Sequence, residues 1–227
     1  MSGGRPRATS RASLERAGFE LFALKGFDAT TVDDIAAAAG IARRTYFHYF
    51  ASKNDLVWGD FEDHLRRLRL LLAEADPAVP LAATLRAAIV EFNRFDPADV
   101  PWHRQRMRLI LRVPTLQGDA AVRYTAWRAI ITEYTAHRTG LAPTVAFPRL
   151  TGHAALAAAV SAYEHWLDAP GTDLTALMDA ALRQIAAGIA AGPLSPEAGG
   201  HDLADEQGGG RGSPQGRGGQ DRGVGDA

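Results

Sequence analysis

Apolar residues recur every three or four positions through most of this chain, which is the spacing that one face of an α-helix requires. No segment alternates apolar and polar residues as a half-buried strand does. Proline and glycine end one helical pattern before the next begins. The sequence therefore predicts an all-α fold. Beyond Pro80, the predicted helices cover 81–95, 102–112, 119–138, 149–167 and 173–191.

The first quarter of the chain predicts three short helices in close succession. Apolar residues up to Phe22 mark the first helix, which ends before Gly26. Thr31 followed by Asp34 forms a capping box that starts the second helix. A tight turn at Gly40 leads into the third. Two short helices joined by a tight turn are typical of a helix-turn-helix.

The helix after Gly40 exposes an unusual set of side chains. Tyr46 and Phe50, four residues apart, are expected to face the preceding helix. The outward side then carries Arg43, Arg44, Phe47 and His48. A short helix that presents cations and an aromatic ring to solvent, braced by a partner helix, suits insertion into the DNA major groove. The alternative is an ordinary helical hairpin with a solvated basic edge.

A long helix is predicted to begin at Ser52, which forms an N-terminal cap with Asp55, and to continue to about residue 76. Lys53 lies in its first turn beside unpaired backbone N–H groups, a place suited to gripping a DNA phosphate. The same helix would leave the DNA-binding domain and enter the next one. A change in its tilt would then move the DNA-reading helix.

The last two helices are rich in alanine and apolar around much of their circumference. Such helices need two partners, of which the core supplies one and a second subunit the other. We therefore expect a homodimer joined by a four-helix interface, and a monomer with a large core is the alternative. The candidate interface residues are Gly152, Ala155, Ala159, Leu174, Met178, Ala181 and Ile185.

Most of the aromatic residues lie between the DNA-reading helices and the alanine-rich helices. They could line an apolar cavity with a few polar groups, and a stripe of arginines nearby could meet an anionic ligand at its mouth. An amphipathic anion, such as an acyl chain with a charged head, would fit. Plain core packing and a solvated arginine face are the alternatives. The candidate ligand-binding residues are Trp102, Arg104, Arg108, Tyr124, Trp127, Tyr163 and Trp166.

Composition narrows the function further. The formal net charge of −1 gives no global attraction to nucleic acid, so DNA binding must come from local charge. The chain has no cysteine, and its seven histidines form no metal-binding pattern. Neither a nucleophile elbow nor a phosphate loop is present. No apolar run is long enough to cross a bilayer. We expect a soluble cytoplasmic protein without enzymatic activity, metal or cofactor.

Four regions follow from these patterns. Residues 1–11 are a flexible basic arm, and residues 12–57 a helix-turn-helix DNA-binding domain. Residues 58–192 form a helical effector-binding and dimerisation domain. Residues 193–227 are Gly-rich with almost no large apolar side chains, so they cannot bury enough surface to offset chain entropy and are expected to be disordered.

The N-terminal motif resembles the DNA-binding domain of the TetR family of transcriptional regulators. The matching residues run from Gly26-Phe27 through Thr30-Thr31-Val32 and Ile35-Ala36 to Gly40, then Tyr46 to Phe50 and Ser52-Lys53. The resemblance implies a homodimeric, ligand-responsive repressor. Phe47 stands where the family usually has a phosphate-binding tyrosine, so that contact is expected to shift to Tyr49. The complete set of candidate DNA-binding residues is Thr31, Arg43, Arg44, Thr45, Phe47, His48, Tyr49 and Lys53.

A narrower resemblance extends into the second domain. The segments 58–61, 92–96, 103–117 and 161–167 are similar to TetR-type regulators of mycofactocin biosynthesis loci. That resemblance implies a repressor of a redox-cofactor locus with a long-chain acyl-CoA as effector. The interpretation is a dimeric regulator that binds a palindromic DNA operator and releases it on binding a small hydrophobic or acyl-CoA-like molecule. A helical small-molecule-binding or scaffold protein without DNA binding is the alternative.

Overall fold

Helices joined by short turns account for the chain from residue 10 to residue 189, the part that the computed structural model describes. No strand occurs among these residues, which confirms the all-α prediction. The predicted C-terminal tail and residues 1–9 of the predicted arm lie outside the described residues. The helices are α1 Arg11–Lys25, α2 Val32–Ala38, α3 Arg43–Tyr46, α4 Lys53–Trp58, α5 Phe61–Ala73, α6 Leu81–Phe92, α7 Val100–Arg112, α8 Pro114–Thr139, α9 Ala146–Asp168 and α10 Leu174–Ile189.

Side-chain caps set the starts of the N-terminal helices. The Thr31 hydroxyl accepts a hydrogen bond from the backbone N–H of Asp34, whose carboxylate accepts one from the backbone N–H of Thr31. The predicted capping box is therefore present at α2. Lys25 forms a 2.7 Å ion pair with the same carboxylate. The hydrogen bonds from Lys25 and Thr31 hold the pKa of Asp34 well below its usual range.

The predicted helix over 52–76 is wrong as a single element. Gly59 has a φ of 64°, ends α4, and is followed by Asp60, whose carboxylate caps α5. A Cβ atom at position 59 would lie 2.8 Å from an Nη atom of Arg106. Glycine is therefore favoured there twice, by the left-handed φ and by the close approach of Arg106. The element that leaves the DNA-binding helices is jointed rather than continuous.

Two of the later helices also differ from prediction. Helix α6 ends at Phe92, before Phe95, because the side-chain amide of Asn93 folds back and donates to the carbonyl of Ile89. Helix α8 begins at Pro114, earlier than predicted, because a proline in the first turn has no N–H that the helix must satisfy.

Two groups of buried apolar residues form the core. One lies among α1–α4 and is centred on Phe19, Ile35 and Leu56. It also takes Ile110 from α7 and Leu116 from α8, so elements of the predicted second domain complete the core of the first. The other lies among α5, α6, α8, α9 and α10. The described residues belong to one compact unit.

Helices α9 and α10 bury most of their apolar surface within one subunit. Helix α9 packs on α8 and α10, and α10 also packs on α6. A Cβ on Gly152 would lie 3.0 Å from the backbone carbonyl of Arg128 and would collide with the Thr132 hydroxyl. Five of the seven candidate interface residues are buried in this way: Gly152, Ala155, Ala159, Leu174 and Met178.

Those five residues therefore have little surface left for a second subunit, and their role at an interface stays a prediction. Ala181 and Ile185 are half-buried, and for them the interface stays a prediction. The core of one subunit supplies two packing partners for each of these helices. Within residues 10–189, no helix combines the length and hydrophobicity needed to span a membrane.

Candidate nucleic-acid interface and ligand cavity

The hairpin of α2 and α3 is closed by backbone hydrogen bonds and by one buried ring. The backbone N–H of Ile41 donates to the carbonyl of Ala36 at 2.9 Å and closes the turn. Tyr46 is fully buried against this turn, and its hydroxyl donates to the carbonyl of Ser52 at 3.0 Å. Burial raises the pKa of Tyr46 far above its ordinary value. Tyr46 therefore packs in the core and also fixes the start of α4.

The side chains that the sequence predicted to face outward lie on α3, which is shorter than predicted, and on the turn that follows it. The ring of Phe47 is 44% exposed, although it is a large apolar group. Thr45 and Tyr49 are half-buried, and the hydroxyl of Thr31 is engaged in the α2 cap. The exposed residues of this face are Arg43, Arg44, Phe47 and His48.

The guanidinium of Arg43 is held in place before any DNA arrives. It forms a 2.6 Å ion pair with Asp33 on α2 and lies 5.5 Å from the centre of the Phe47 ring. Both members of the pair are more than half exposed, so the pair contributes little to stability. Its consequence is orientation, because it keeps the guanidinium beside the exposed ring.

Lys53 does not point outward as its predicted phosphate contact requires. Its ammonium donates to the carbonyls of Phe27 and Thr30 at 2.7 and 2.8 Å and lies 4.1 Å from the centre of the Phe27 ring. Desolvation lowers the pKa of Lys53. The ammonium thus closes the loop between α1 and α2, and its contact with a DNA phosphate stays a prediction.

Arg11 was assigned to the flexible arm, yet it is the first residue of α1. Its guanidinium donates to the carbonyls of Gly59 and Tyr49 at 2.8 and 3.3 Å and lies 4.5 Å from the centre of the Phe50 ring. Arg11 therefore ties α1 to the hairpin and to the joint between α4 and α5.

A cavity of about 120 Å³ lies among the helices that follow α3. Its walls are mainly apolar and come from α4 to α9. The lining residues are Trp58, Phe61, His64, Arg67, Phe92, Asn93, Phe95, His103, Arg106, Met107, Ile110, Leu111, Tyr124, Trp127, Leu156, Ala159, Val160 and Tyr163. An apolar pocket with a few polar groups is the usual form of a small-molecule site.

One polar network on the cavity wall joins three side chains from three parts of the chain. The Tyr163 hydroxyl donates to the side-chain oxygen of Asn93 at 2.6 Å, and His103 Nε2 lies 2.8 Å from that hydroxyl. Because the tyrosine hydrogen is used by Asn93, Nε2 carries the hydrogen and donates. Burial, with the nearby positive charge of Arg106, lowers the pKa of His103 to about 3. The imidazole is therefore neutral, and Phe95 stacks on it with ring centres 3.7 Å apart.

The cavity contains only part of the predicted ligand-binding set. Tyr124, Trp127 and Tyr163 line it. Trp102 instead packs on Phe19 of α1, with ring centres 4.4 Å apart. The four remaining candidates, Trp102, Arg104, Arg108 and Trp166, do not line it.

The arginine stripe on α7 has other roles. Arg104 donates to the carbonyl of Trp166, stacks over that indole at 4.5 Å, and so joins α7 to α9. Arg108 is exposed. Arg106, which helical spacing had set to one side of the stripe, lines the cavity and forms a 2.6 Å ion pair with Glu15. The prediction failed because the stripe was aligned by spacing along one helix, without knowledge of its neighbours.

Two ion pairs connect the cavity to the DNA-binding helices. Arg106 on α7 pairs with Glu15 on α1, and their side chains are only 13% and 15% exposed. Arg123 on α8 pairs at 2.6 Å with Asp55 in the first turn of α4. Partly buried pairs are costly to break when one partner is removed. Within residues 10–187, no cluster of metal-ligating side chains accompanies these groups.

Comparison with protein-family models and named proteins agrees with this geometry. Residues 15–57 match the model described as bacterial regulatory proteins of the tetR family, and residues 79–190 match the MftR C-terminal domain. MftR from Mycobacterium tuberculosis (strain ATCC 25618 / H37Rv), named for transcriptional regulation of mycofactocin biosynthesis, is 44% identical over 186 residues. The match covers 82% of this chain and 94% of that protein.

Solved structures share the fold at lower identity. The fatty acid degradation regulator FadR from Bacillus halodurans has a TM-score of 0.59 at 18% identity and covers 83% of this chain and 98% of its own. FadR from Bacillus subtilis, solved with stearoyl-CoA, has a TM-score of 0.57 at 16% identity, with 79% and 100% covered. At such identities the likeness concerns the fold.

Proposed function

Because this chain belongs to the TetR family of bacterial transcriptional regulators, with a C-terminal domain of the MftR type, we propose that it is a dimeric repressor. It binds a palindromic operator through α3 and releases it when a small amphipathic molecule fills the cavity. The similarity to MftR supports mycofactocin biosynthesis genes as its targets.

The observation that carries this proposal is the exposed face of α3. Arg43 and Arg44 present guanidinium groups, which suit the acceptor edge of guanine in the major groove. The exposed Phe47 ring beside them suits contact with a thymine methyl group. Buried Tyr46 braces this segment from behind and so fixes the backbone that carries these side chains.

The effector is an acyl-CoA-like molecule whose apolar part enters the cavity. The stearoyl-CoA complex of Bacillus subtilis FadR, which shares the fold, supports this class. The cavity of about 120 Å³ has room for a ring-sized or short-chain group. A long acyl chain therefore requires the helices around the cavity to move apart. That movement is the step that reaches the DNA-binding helices.

The route of this movement runs through the two ion pairs. Displacement of α7 moves Glu15 and α1 through Arg106. Displacement of α8 moves the start of α4 through Arg123 and Asp55. The joint at Gly59 lets α4 turn with the DNA-binding helices while α5 stays with the cavity.

The dimer brings two copies of α3 to successive half-sites, about one helical turn of DNA apart. We assign the subunit contact to the surface that α9 and α10 leave outside. This surface includes Leu150, which is 51% exposed, and the exposed small residues Ala157, Ser161 and Ala180. Small side chains allow helices to approach closely.

A mobility-shift titration with DNA from upstream of the protein's own locus tests the function. Arg43→Ala should weaken operator binding by about 1–3 kcal/mol and affect unrelated DNA less, because it removes a base contact. Arg69→Ala, an exposed arginine on α5, is the matched control and should change little.

Equal losses on operator and unrelated DNA would reduce Arg43 to a phosphate contact. Absence of any shift with wild-type protein would instead support a helical small-molecule-binding or scaffold protein.

A further inference from the structure

Three polar atoms on the cavity walls have no hydrogen-bond partner. They are Trp58 Nε1, Arg106 Nε and Tyr124 Oη, and each exposes less than 1 Å² to solvent. Buried polar groups in proteins are nearly always paired, because leaving one unpaired is unfavourable. Within residues 10–187, only one other side-chain atom, Arg11 Nε, shares this condition. Unpaired atoms on three lining residues of the same cavity indicate a missing acceptor.

The three side chains are neighbours on the cavity wall. The rings of Trp58 and Tyr124 contact edge to face, with centres 6.1 Å apart. Arg106 packs against Gly59, the residue that follows Trp58. Helices α4, α7 and α8 therefore converge there. The network of His103, Tyr163 and Asn93 on the same walls contributes none of these unpaired buried atoms.

The charged groups around these three side chains are already paired with opposite charges. Arg106 is paired with Glu15, and Arg123, whose guanidinium lies 5.0 Å from the centre of the Trp58 ring, is paired with Asp55 and Asp119. The other basic groups on the walls are no better placed to receive an anion. His103 is neutral, burial lowers the pKa of His64, and Arg67 faces Glu91. A free carboxylate would lose its hydration there without gaining an unpaired cation.

We propose that Trp58, Arg106 and Tyr124, once the helices around the cavity move apart, form a subsite for the neutral carbonyl oxygen of an acyl ester, thioester or amide. The acyl chain lies along the apolar wall that includes Phe61, Ile110 and Leu111. A neutral carbonyl accepts hydrogen bonds from these donors and adds no buried charge. The inference deepens the proposed function by naming the chemical group that the effector site recognises.

Replacing Tyr124 by Phe tests the subsite, because it removes only the unpaired hydroxyl. Calorimetric titrations compare methyl octanoate with octanoate at pH 8, where octanoate is ionised. Wild-type protein should bind the ester about tenfold tighter. Tyr124→Phe should bind the ester about three- to tenfold more weakly and leave octanoate binding unchanged. Without ligand, the variant's Tm should rise by about 2–4 °C, because the unpaired group is gone.

Tyr134→Phe is the matched control, since its hydroxyl accepts a 2.8 Å hydrogen bond from Arg138 and lies outside the cavity lining. It should leave the affinity for the ester unchanged and should not raise the Tm. The proposal is overturned if octanoate binds as tightly as the ester, or if neither binds. It is also overturned if Tyr124→Phe keeps the wild-type affinity for the ester, or if it lowers the Tm and weakens both ligands equally.

A parallel mobility shift separates this proposal from the proposed function. Operator binding without ester binding would remove the subsite and leave DNA-binding regulation standing. Selective ester binding without any operator shift would support the subsite and contradict DNA-binding regulation.

Discussion

The neutral, buried His103 makes the stability of this protein sensitive to acid. Its pKa is lowered to about 3, mainly by burial and then by Arg106 and His64, whereas an unfolded histidine titrates near 6.5. Between pH 6.5 and pH 3 the unfolded chain therefore binds a proton at His103 that the folded chain does not bind. Stability from this group is complete above pH 6.5 and is lost as the pH falls through the window from 6.5 to 3.

The size of the effect follows from the same values. A pH of 5 lies about 1.5 units below the pKa of an unfolded histidine. Protonation of the unfolded chain therefore lowers the free energy of unfolding by about 2 kcal/mol between pH 7 and pH 5. His103→Gln removes the titration and keeps an amide N–H that can donate to the hydroxyl of Tyr163. The variant should therefore lose about 2 kcal/mol less than wild type between pH 7 and pH 5.

Urea unfolding followed by circular dichroism at both pH values, at one protein concentration, measures this difference. Each protein is compared with itself, so a general loss of stability in the variant does not affect the result. His64 is present in both and cancels. His137→Gln, an exposed histidine on α8, is the control and should retain the wild-type loss. Equal losses in wild type and His103→Gln would refute the assignment of the acid sensitivity to His103.

Three further substitutions test helix packing and the closure of the loop between α1 and α2. Gly152→Ala should lower the free energy of unfolding by about 1–3 kcal/mol, because its Cβ would meet Arg128 and Thr132 of α8. Gly118→Ala should raise it by roughly 0.5–1 kcal/mol, because its Cβ would point into open space. If urea unfolding shows no change for Gly152→Ala, the close contact between α8 and α9 is contradicted. Lys53→Ala should lower the free energy of unfolding by about 1–3 kcal/mol, because two loop carbonyls lose their donor. An unchanged thermal midpoint combined with weaker binding to all DNA would return Lys53 to a phosphate contact.

The sequence alone determined the features that depend on neighbours along the chain. Helical periodicity set the fold class, and the spacing of Thr31 and Asp34 located the start of α2. The inward position of Tyr46 and Phe50 followed from their four-residue spacing, although α3 itself ends at Tyr46. These features were predictable because helix geometry fixes which residues three or four apart share a face.

Only the tertiary structure decided which groups the long polar side chains and the large rings contact. Lys53 turned inward because the loop carbonyls of Phe27 and Thr30 lie within its reach. Trp102 packs on α1, whereas Trp58 lines the cavity, and no local pattern distinguishes these two tryptophans.

The same limit applied to the arginines of α7 and to the alanine-rich helices. Arg106 reaches Glu15, which is 91 residues away in sequence, and this partner directs its side chain to the cavity wall. Met178 has no exposed surface because α10 packs against two other helices of the same subunit. Periodicity gives the face of a helix, but the elements that cover this face come from distant parts of the chain, so their positions appear only in the folded protein.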